Sequence, residues 1–153
     1  MIEVRQATRE DIDVLVPLFE AYRQFYRQAS VPALARRFLL DRIGGSESVI
    51  ILAFQDDAAI GFTQLYPSFS SVAMARIFIL NDLFVAPQAR GQGAGLALLD
   101  ASVEYARSVG ALRLALSTEL TNTVAQQLYE RHGWKRDTTF CVYQLPCERS
   151  STG

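Results

Sequence analysis

A glycine-rich turn in the second half of the chain constrains the fold more than any other feature. Residues 90–95 read Arg-Gly-Gln-Gly-Ala-Gly. They follow a strand-like run at 76–85 and open a helical pattern that ends near Gly110, after which a second strand-like run covers 112–117. Two strands joined through a helix need a crossover connection, so the pattern predicts that they lie parallel in one sheet.

The remaining segments predict a sheet that is otherwise mostly antiparallel. Further strands are predicted at 2–6, 49–54, 59–66, 134–137 and 140–145, of which the last two would form a closing hairpin, and 67–71 is predicted as a loop. Further helices are predicted at 12–27, from a Ser30 cap to Gly44-Gly45, and from Thr121 or Asn122 to Glu130. The fold class is therefore α/β or α+β, with about four helices around a mixed sheet.

Length and composition exclude several classes of protein. At 153 residues the chain has room for one domain, expected at 1–147, with a disordered tail at 148–153. Hydrophobic residues make up 50% and the net charge is −1, which excludes intrinsic disorder and leaves no basic excess for a nucleic-acid partner. No run approaches the roughly 20 apolar residues of a membrane span, and the first residues do not read as a secretory signal.

Histidine and cysteine are too scarce for several kinds of catalytic or metal site. His132 is the one histidine, and the two cysteines are Cys141 and Cys147. A serine or cysteine triad would depend on that histidine alone, and a zinc site would need carboxylates for most of its ligands. We therefore expect no metal, a reducing cytoplasmic location, and a His132 that stabilises a helix C-terminus.

The glycine turn itself indicates phosphate binding. Glycines let the backbone approach an anion closely, and the first N–H groups of the following helix lack intrahelical partners. A P-loop would need Lys and then Ser or Thr after its last glycine, where this chain has Leu96-Ala97, and a dinucleotide-binding turn would need its third glycine at position 96. What remains is the pattern Arg/Gln-x-x-Gly-x-Gly, matched by Arg90, Gly93 and Gly95, or an ordinary glycine turn before a helix.

Two motifs at this spacing resemble the GNAT superfamily of acyl-CoA-dependent N-acyltransferases. The first runs from Leu83-Phe84-Val85-Ala86-Pro87 through the 90–95 turn to Leu98-Leu99. The second is Asn122-x-x-Ala125-x-x-Leu128-Tyr129-Glu130 followed by Gly133-Trp134, and the order of elements matches over nearly the whole chain. The stretch 81–85 is similar to the spermidine/spermine and diamine acetyltransferase branch, which typically has Glu where this chain has Asn81. The resemblance implies the GNAT fold, in which the parallel strand pair is splayed.

The resemblance also implies acetyl-CoA as the cofactor. The backbone of Leu83, Phe84 and Val85 would pair with the pantetheine arm much as an added strand would. The pyrophosphate would accept hydrogen bonds from backbone N–H groups of Gly91, Gln92, Gly93, Ala94, Gly95 and Leu96. Arg90 would add a charge-assisted contact, and Asn122 would cap a helix, bind the pantetheine, or do both.

Tyr129 is the candidate general acid. In the family, a tyrosine at this place in the motif protonates the departing CoA thiolate. A phenol with an ordinary pKa of about 10 is protonated at neutral pH and can donate that proton. The alternative is a tyrosine that only packs beside Leu128.

Carboxylates and tyrosines are the candidates for binding the acceptor. An alkylamine has a pKa of about 10.4 and must lose a proton before it attacks a thioester. Asp82 is the first candidate for that base or for an anchor of the ammonium group, and Glu119 is the second. The resemblance places the acceptor between the first two helices and the middle hairpin, in a cleft that would be lined by Tyr22, Tyr26 and Tyr66.

The expected function is transfer of an acetyl group to a primary amine by direct attack in a ternary complex. The acceptor is expected to be a small molecule, either a cationic amine or, because of Arg23 and Arg27, one that also carries a carboxylate. The alternatives are a non-catalytic acyl-CoA-binding regulatory module, an acetyltransferase acting on a protein amine, and a structural domain. A homodimer is also expected, paired through the edge that 140–145 offers.

Overall fold

Five strands form one sheet whose order follows the chain. The computed structural model describes residues 1–148. Its strands are β1 (Ile2–Gln6), β2 (Val49–Gln55), β3 (Ala58–Ser70), β4 (Ala75–Val85) and β5 (Leu114–Ala115). Every pairing is antiparallel except that of β4 with β5, which is parallel. The predicted mixed and mostly antiparallel sheet is therefore confirmed.

Four helices cover the two faces of the sheet. They are α1 (Ile12–Phe25), α2 (Pro32–Gly44), α3 (Ala94–Ser108) and α4 (Thr123–His132). Each face of the sheet has its own hydrophobic core, and β2 contributes side chains to both. Leu52 packs on the side of α1 and α2, whereas Ile51 packs on the side of α3. A strand buried on both faces reads as a continuous apolar run, which is why 49–54 could be predicted from the sequence. Among the described residues, none of the helices has both the length and the apolarity needed to cross a bilayer.

A β-bulge in the middle of β4 changes which residues of the strand lie on each face of the sheet. Gln64 of β3 pairs with Asp82, but the next pair along skips to Leu80, so Asn81 is the extra residue. Phe84 belongs to the core beneath α1 and α2, whereas Leu80 belongs to the core beneath α3. Asp82 is two residues from Phe84 and therefore faces α1 and α2 as Phe84 does, whereas beyond the bulge Leu80 faces α3.

The parallel pair opens after two residue pairs. Phe78 pairs with Leu114 and Ile79 pairs with Ala115. Within the described chain, no residue of β4 after Ile79 pairs with β5, so the strand expected at 112–117 is shortened where the two strands diverge. The predicted splay between parallel strands is confirmed.

Two local predictions were wrong. Residues 67–70, expected in a loop, extend β3, because proline is tolerated where a strand is paired on one side only, and Pro67 pairs with β4 beyond the last pair with β2. Ser30 does not cap α2. Its hydroxyl donates to Glu20 at 2.8 Å, and the N-cap is Val31, whose backbone N–H donates to the same carboxylate.

The predicted closing hairpin is not formed. Residues 134–148 contain no strand, although their composition is strand-like. The large apolar side chains of residues 140–145 stay in solvent, with exposed fractions of 79% for Phe140, 80% for Val142, 91% for Tyr143 and 89% for Leu145. A strand needs a partner, and this segment pairs with no other part of the described chain. The predicted tail lies, apart from Glu148, outside the described residues.

Candidate active site

The turn before α3 has the backbone conformation that a phosphate cradle requires. Gly91 and Gly93 have φ angles of 78° and 93°, and a Cβ on either glycine would meet nothing within 4 Å. Gly93 is the N-cap of α3, and no side chain caps this helix. The N–H groups of Ala94 to Leu96 therefore lack intrahelical partners and lie at the positive end of a 15-residue helix.

Two other residues of the turn contribute to packing. The Gln92 side chain accepts a hydrogen bond from Gln55 Nε2 at 2.9 Å, which ties the turn to the end of β2. A Cβ on Gly95 would lie 3.2 Å from Cδ2 of Leu128, so this glycine lets α4 approach α3 closely. What Gln92 and Gly95 can offer a phosphate is therefore the backbone N–H.

Arg90 is held against the end of β4. Its Nε donates to the carbonyl oxygen of Val85 at 2.9 Å. Its guanidinium lies 5.8 Å from the ring centroid of Phe25 and 5.6 Å from that of Phe84. Only the Nη groups of Arg90 are left for the predicted phosphate contact. The carbonyl oxygen of Val85, which the resemblance assigned to pantetheine binding, already accepts a hydrogen bond from Arg90.

The side of β4 that faces β5 forms the second part of the site. β3 covers the other side of the strand, where Thr63 pairs with Leu83 and Gly61 pairs with Val85. Within residues 1–148, the β5 side of this stretch has no partner strand, and Leu83 and Val85 are half-buried. Such an open edge can take up an extended chain through backbone hydrogen bonds.

Asp82 lies beside that edge, with two neighbouring side chains on its carboxylate and a third on its backbone oxygen. It is only 4% exposed. Gln64 Nε2 donates to its Oδ2 at 2.5 Å, and Asn81 Nδ2 donates to its Oδ1 at 2.9 Å. The Thr63 hydroxyl donates to its backbone oxygen at 2.7 Å. Sequence reasoning missed Gln64 and Thr63, because only the strand register brings Gln64 to the carboxylate and Thr63 to the backbone oxygen of Asp82.

Three tyrosines surround Asp82. The hydroxyl of Tyr22 donates to the Asn81 carbonyl oxygen at 3.3 Å, and the rings of Tyr22 and Tyr26 meet edge to face with centroids 5.2 Å apart. Burial first, and then the charge of Asp82, raises the pKa of Tyr22 and raises that of Tyr66 to about 12. Burial also raises the pKa of Tyr26. All three phenols therefore stay protonated at neutral pH and can donate hydrogen bonds.

A cleft of about 700 Å³ lies between α1, α2 and the bulge in β4. Asp82 and Tyr66 line its inner end, and α2 contributes Arg37 and Arg42. The Arg42 guanidinium pairs with Glu47 at 3.1 Å, so one of these two cations is already balanced. A cleft of this size can hold a small organic molecule.

Tyr129 projects from α4 close to the tyrosines of α1. It is half-buried, and burial first, then Tyr26, raises its pKa to about 12. Its ring lies 6.1 Å from that of Trp134. Asn122 begins the helix as its N-cap, and its Oδ1 accepts a hydrogen bond from the backbone N–H of Ala125 at 3.2 Å.

Glu119 lies at an exposed rim rather than beside Asp82. Its Oε1 is 3.6 Å from Arg27 Nη2, which links the end of α1 to the loop before α4. An exposed pair of this kind stabilises by at most about 1 kcal/mol. Because an arginine of the same chain already occupies this carboxylate, Glu119 is a weaker candidate for the acceptor than Asp82.

Together these features define a class of protein. A mixed sheet opens between two parallel strands, and a glycine turn with free N–H groups follows the longer strand. A buried carboxylate among tyrosines lies on the face of that strand that meets α1 and α2. The fold is that of the acyl-CoA-dependent N-acyltransferases.

The comparisons with known proteins give the family. The model of the acetyltransferase (GNAT) family matches residues 15–134, and the chain belongs to that family. The chain is 51% identical to an uncharacterized N-acetyltransferase of Bacillus subtilis, YhfO, over 94% of this chain and 97% of that one. It is 30% identical to the aminoglycoside N(6')-acetyltransferase type 1 of Klebsiella aerogenes, over 73% and 72% of the two chains. A crystal structure of a probable acetyltransferase, 45% identical, superposes with a TM-score of 0.91 over 97% and 99%.

Proposed function

We propose that the protein transfers the acetyl group of acetyl-CoA to a primary amine of a small molecule, by direct attack in a ternary complex. One observation carries this proposal. After Ile79, β4 presents toward β5 an edge that has no partner strand among the described residues, and it presents the carboxylate of Asp82 toward the α1–α2 cleft. A thioester held along the edge and an amine held in the cleft would therefore meet at one strand.

The residues of this chain fit acetyl-CoA, which would supply the activated acetyl thioester. The backbone of Leu83 and Val85 would bind the pantetheine amides with the groups that β3 and Arg90 leave free. The N–H groups from Gly91 to Leu96 would bind the pyrophosphate, and the open space around Gly91 and Gly93 leaves room for it. Both sets of donors belong to the backbone, which fits a chain without a basic excess.

Two side chains would handle the protons. Asp82 would accept a proton from the bound ammonium group and release it to solvent, so that the neutral amine can attack the acetyl carbon. It would then accept the second proton, which the nitrogen loses as the amide forms, and release that one to solvent as well. Tyr129 would donate its proton to the sulfur as the carbon–sulfur bond breaks, and solvent would return that proton. The raised pKa of Tyr129, about 12, keeps the phenol protonated and ready to donate at pH 7.

The acceptor is proposed to be a small cationic amine. The Asp82 carboxylate and the aromatic faces of Tyr22 and Tyr66 attract an ammonium group at the inner end of the cleft. The likeness to an aminoglycoside N(6')-acetyltransferase and the resemblance of 81–85 to the diamine branch support the same class.

The test is a CoA-release screen with the full chain, acetyl-CoA, and a panel of diamines, aminoglycosides, amino acids and a peptide with a free N-terminus. On the best amine, Tyr129→Phe should lower kcat by about 10²- to 10⁴-fold and leave the Kd for CoA within about twofold. Tyr105→Phe is the matched control, because Tyr105 lies on α3 and packs against Phe78 of β4, with ring centroids 5.6 Å apart. Unchanged turnover by Tyr129→Phe would rule out Tyr129 as the general acid. Absence of CoA release with every amine tested would rule out the proposed enzymatic activity.

A homodimer is the second part of the proposal. Residues 138–148, the C-terminal arm, hold four large apolar side chains that are 79–91% exposed. A groove of about 800 Å³ lies between α3, the β5 region and residues 132–135, with Leu112 and Leu114 along it. The proposed occupant of this groove is the arm of a second copy, because two-fold symmetry satisfies both arms and both grooves at once.

The buried area is large enough for such a dimer. An aromatic side chain buries roughly 150–250 Å², so the two aromatic and two aliphatic side chains of one arm would bury on the order of 600 Å². Two reciprocal arms would reach about 1,200 Å² before the groove is counted, which is the lower bound of stable interfaces.

Light scattering tests the dimer. The full chain should have twice the 17.0 kDa mass of one chain. Val142→Asp should give the single mass. Val72→Asp should leave the dimer intact, because Val72 is 99% exposed at the tip of the β3–β4 hairpin, away from the arm. A wild-type monomer at micromolar concentration would show that the arm has another partner or none.

A further inference from the structure

Gln64 is a fully buried polar residue whose place in the core is not explained by packing. It is 0% exposed in β3, opposite Asp82 in the strand register. Its Nε2 donates to Asp82 Oδ2 at 2.5 Å, whereas its Oε1 is buried without a hydrogen-bond partner among the described residues. One end of the amide is therefore engaged with Asp82, and the other end is left unpaired.

An unpaired buried amide oxygen destabilises a folded protein. Methionine has nearly the same shape and length as glutamine, and it would fill the same space without that cost. What methionine cannot supply is the N–H group that meets Asp82. The contribution of Gln64 therefore lies in its effect on the carboxylate, not in filling the core.

The two donors act on different oxygens of Asp82. Gln64 holds Oδ2, and Asn81, the extra residue of the bulge, holds Oδ1 at 2.9 Å. A carboxylate with a donor on each oxygen has its plane and its rotamer fixed. Thr63 holds the same residue through its backbone oxygen only, so it affects the strand but not the carboxylate.

We propose that Gln64 is a positioning residue that holds the Asp82 carboxylate in line with the acceptor amine. This inference rests on the proposed function, because it takes Asp82 as the group that meets the amine. Gln64 acts through Asp82 and does not touch the acceptor itself, since its side chain has no exposed surface.

The titratable groups that face Asp82 do not complicate a test by pH. They include Tyr22 and Tyr26 from α1 and Tyr66 from β3, and burial raises the pKa of each. All three stay neutral between pH 6 and pH 8.5. The cleft is also lined by Arg23 of α1 and by Arg37, Asp41 and Arg42 of α2, which wild type and Gln64→Glu carry alike, so the ratio of their activities cancels these charges. A change in pH dependence caused by a new carboxyl at position 64 can therefore be assigned to that carboxyl and Asp82.

The first experiment compares Gln64→Met with Thr63→Val by kinetics on the best amine of the screen. Gln64→Met should lower kcat/KM for the amine by about ten- to a hundredfold, which corresponds to the loss of a hydrogen bond to a charged group. The Kd for CoA should stay within about twofold and the Tm within a few degrees of wild type. Thr63→Val should leave kcat/KM within about threefold. Equal losses in the two variants, or a loss of CoA binding in Gln64→Met, would overturn the positioning role.

Gln64→Glu adds a signature that a structural role would not produce. Two carboxyls at this distance share one proton, and the introduced group can donate to Asp82 only while it holds that proton. The ratio of Gln64→Glu to wild-type activity should therefore fall at least tenfold between pH 6 and pH 8.5. A ratio independent of pH would contradict the proposal.

Crystal structures of Gln64→Met and Thr63→Val decide the inference without turnover. The Asp82 carboxylate should leave its wild-type rotamer in Gln64→Met and keep it in Thr63→Val. An Asp82 that keeps its place in both variants would overturn the inference even if the protein proves to be an acetyltransferase. Absence of turnover in wild type would instead count against the proposed function, with the crystal structures still deciding the role of Gln64.

Discussion

The phosphate turn can be tested by placing a negative charge at one end of α3 and comparing it with the same charge at the other end. Gly93 precedes the helix and Gly110 follows it, with φ angles of 93° and 73°, and a Cβ on either residue would meet nothing within 4 Å. Gly93→Glu and Gly110→Glu therefore carry the same kind of backbone strain in the same open surroundings. They differ in which end of the helix receives the charge.

The size of each effect follows from this geometry. A non-glycine residue in the left-handed region costs about 1–2 kcal/mol in either variant. The helix dipole favours the carboxylate at the N-terminus and opposes it at the C-terminus by about 0.3–1 kcal/mol. Gly110→Glu should therefore be the less stable variant. For two charges roughly 6 Å apart, Coulomb's law gives a repulsion of about 0.7 kcal/mol in bulk water and about 3 kcal/mol at an effective dielectric constant near 20.

The assay is isothermal titration with CoA, together with urea unfolding of each variant. Gly93→Glu should bind CoA at least tenfold more weakly than wild type, since pyrophosphate carries more than one charge, and added salt should reduce the difference. Gly110→Glu should bind within about twofold. Wild-type CoA affinity in Gly93→Glu would refute a phosphate site at this turn, and equal weakening in both variants would trace the effect to strain in α3.

Two further predictions concern stability. The hydrogen bond from Arg5 lowers the pKa of Asp11 to about 2, a folded-state value below the ordinary 3.8, so its stabilisation is present above pH 4 and is lost as the pH falls through about 2. Because Arg5 is 54% exposed, Asp11→Asn should cost about 1–2 kcal/mol at pH 7, less than the full shift implies, and urea unfolding should show this gap closing toward pH 2. A Cβ on Gly61 would lie 2.7 Å from the Phe84 carbonyl oxygen, so Gly61→Ala should lower the free energy of unfolding in urea by about 1–3 kcal/mol. Gly44→Ala is the control, because a Cβ there would lie 4.0 Å from its nearest neighbour, and it should leave the free energy of unfolding unchanged or raise it.

Patterns within one segment could be predicted from the sequence. The apolar spacing of α1 places Leu15 and Phe19 in the core, and the glycine turn between β4 and α3 gives the parallel pair. These features depend on local periodicity and on connection length, which a single chain segment carries in full. The glycine turn before α3 and the Asn122 cap are local in the same sense.

Features that depend on register or on long side chains could not be predicted. The bulge at Asn81 is a mismatch between β3 and β4, and it directs Asp82 toward the cleft and places Gln64 against it. Arg90 could be assigned to a phosphate from its position in the motif, but its Nε bond to Val85 depends on where β4 ends in space. Strand composition does not encode such pairings, because one skipped residue changes which side chains share a face.

The C-terminal arm shows the same limit at the level of the whole chain. Residues 140–145 have the apolar and aromatic composition of a strand, and the sequence indicates that they favour a pleated, half-buried place. Composition cannot say whether the partner strand belongs to the same chain. Within residues 1–148 the arm pairs with no strand, and its Tyr143 side chain is 91% exposed. A strand-like sequence and an exposed segment are compatible if another molecule contributes the partner strand. The proposed dimer therefore rests on the hairpin that does not form, and not on the motifs of the active site.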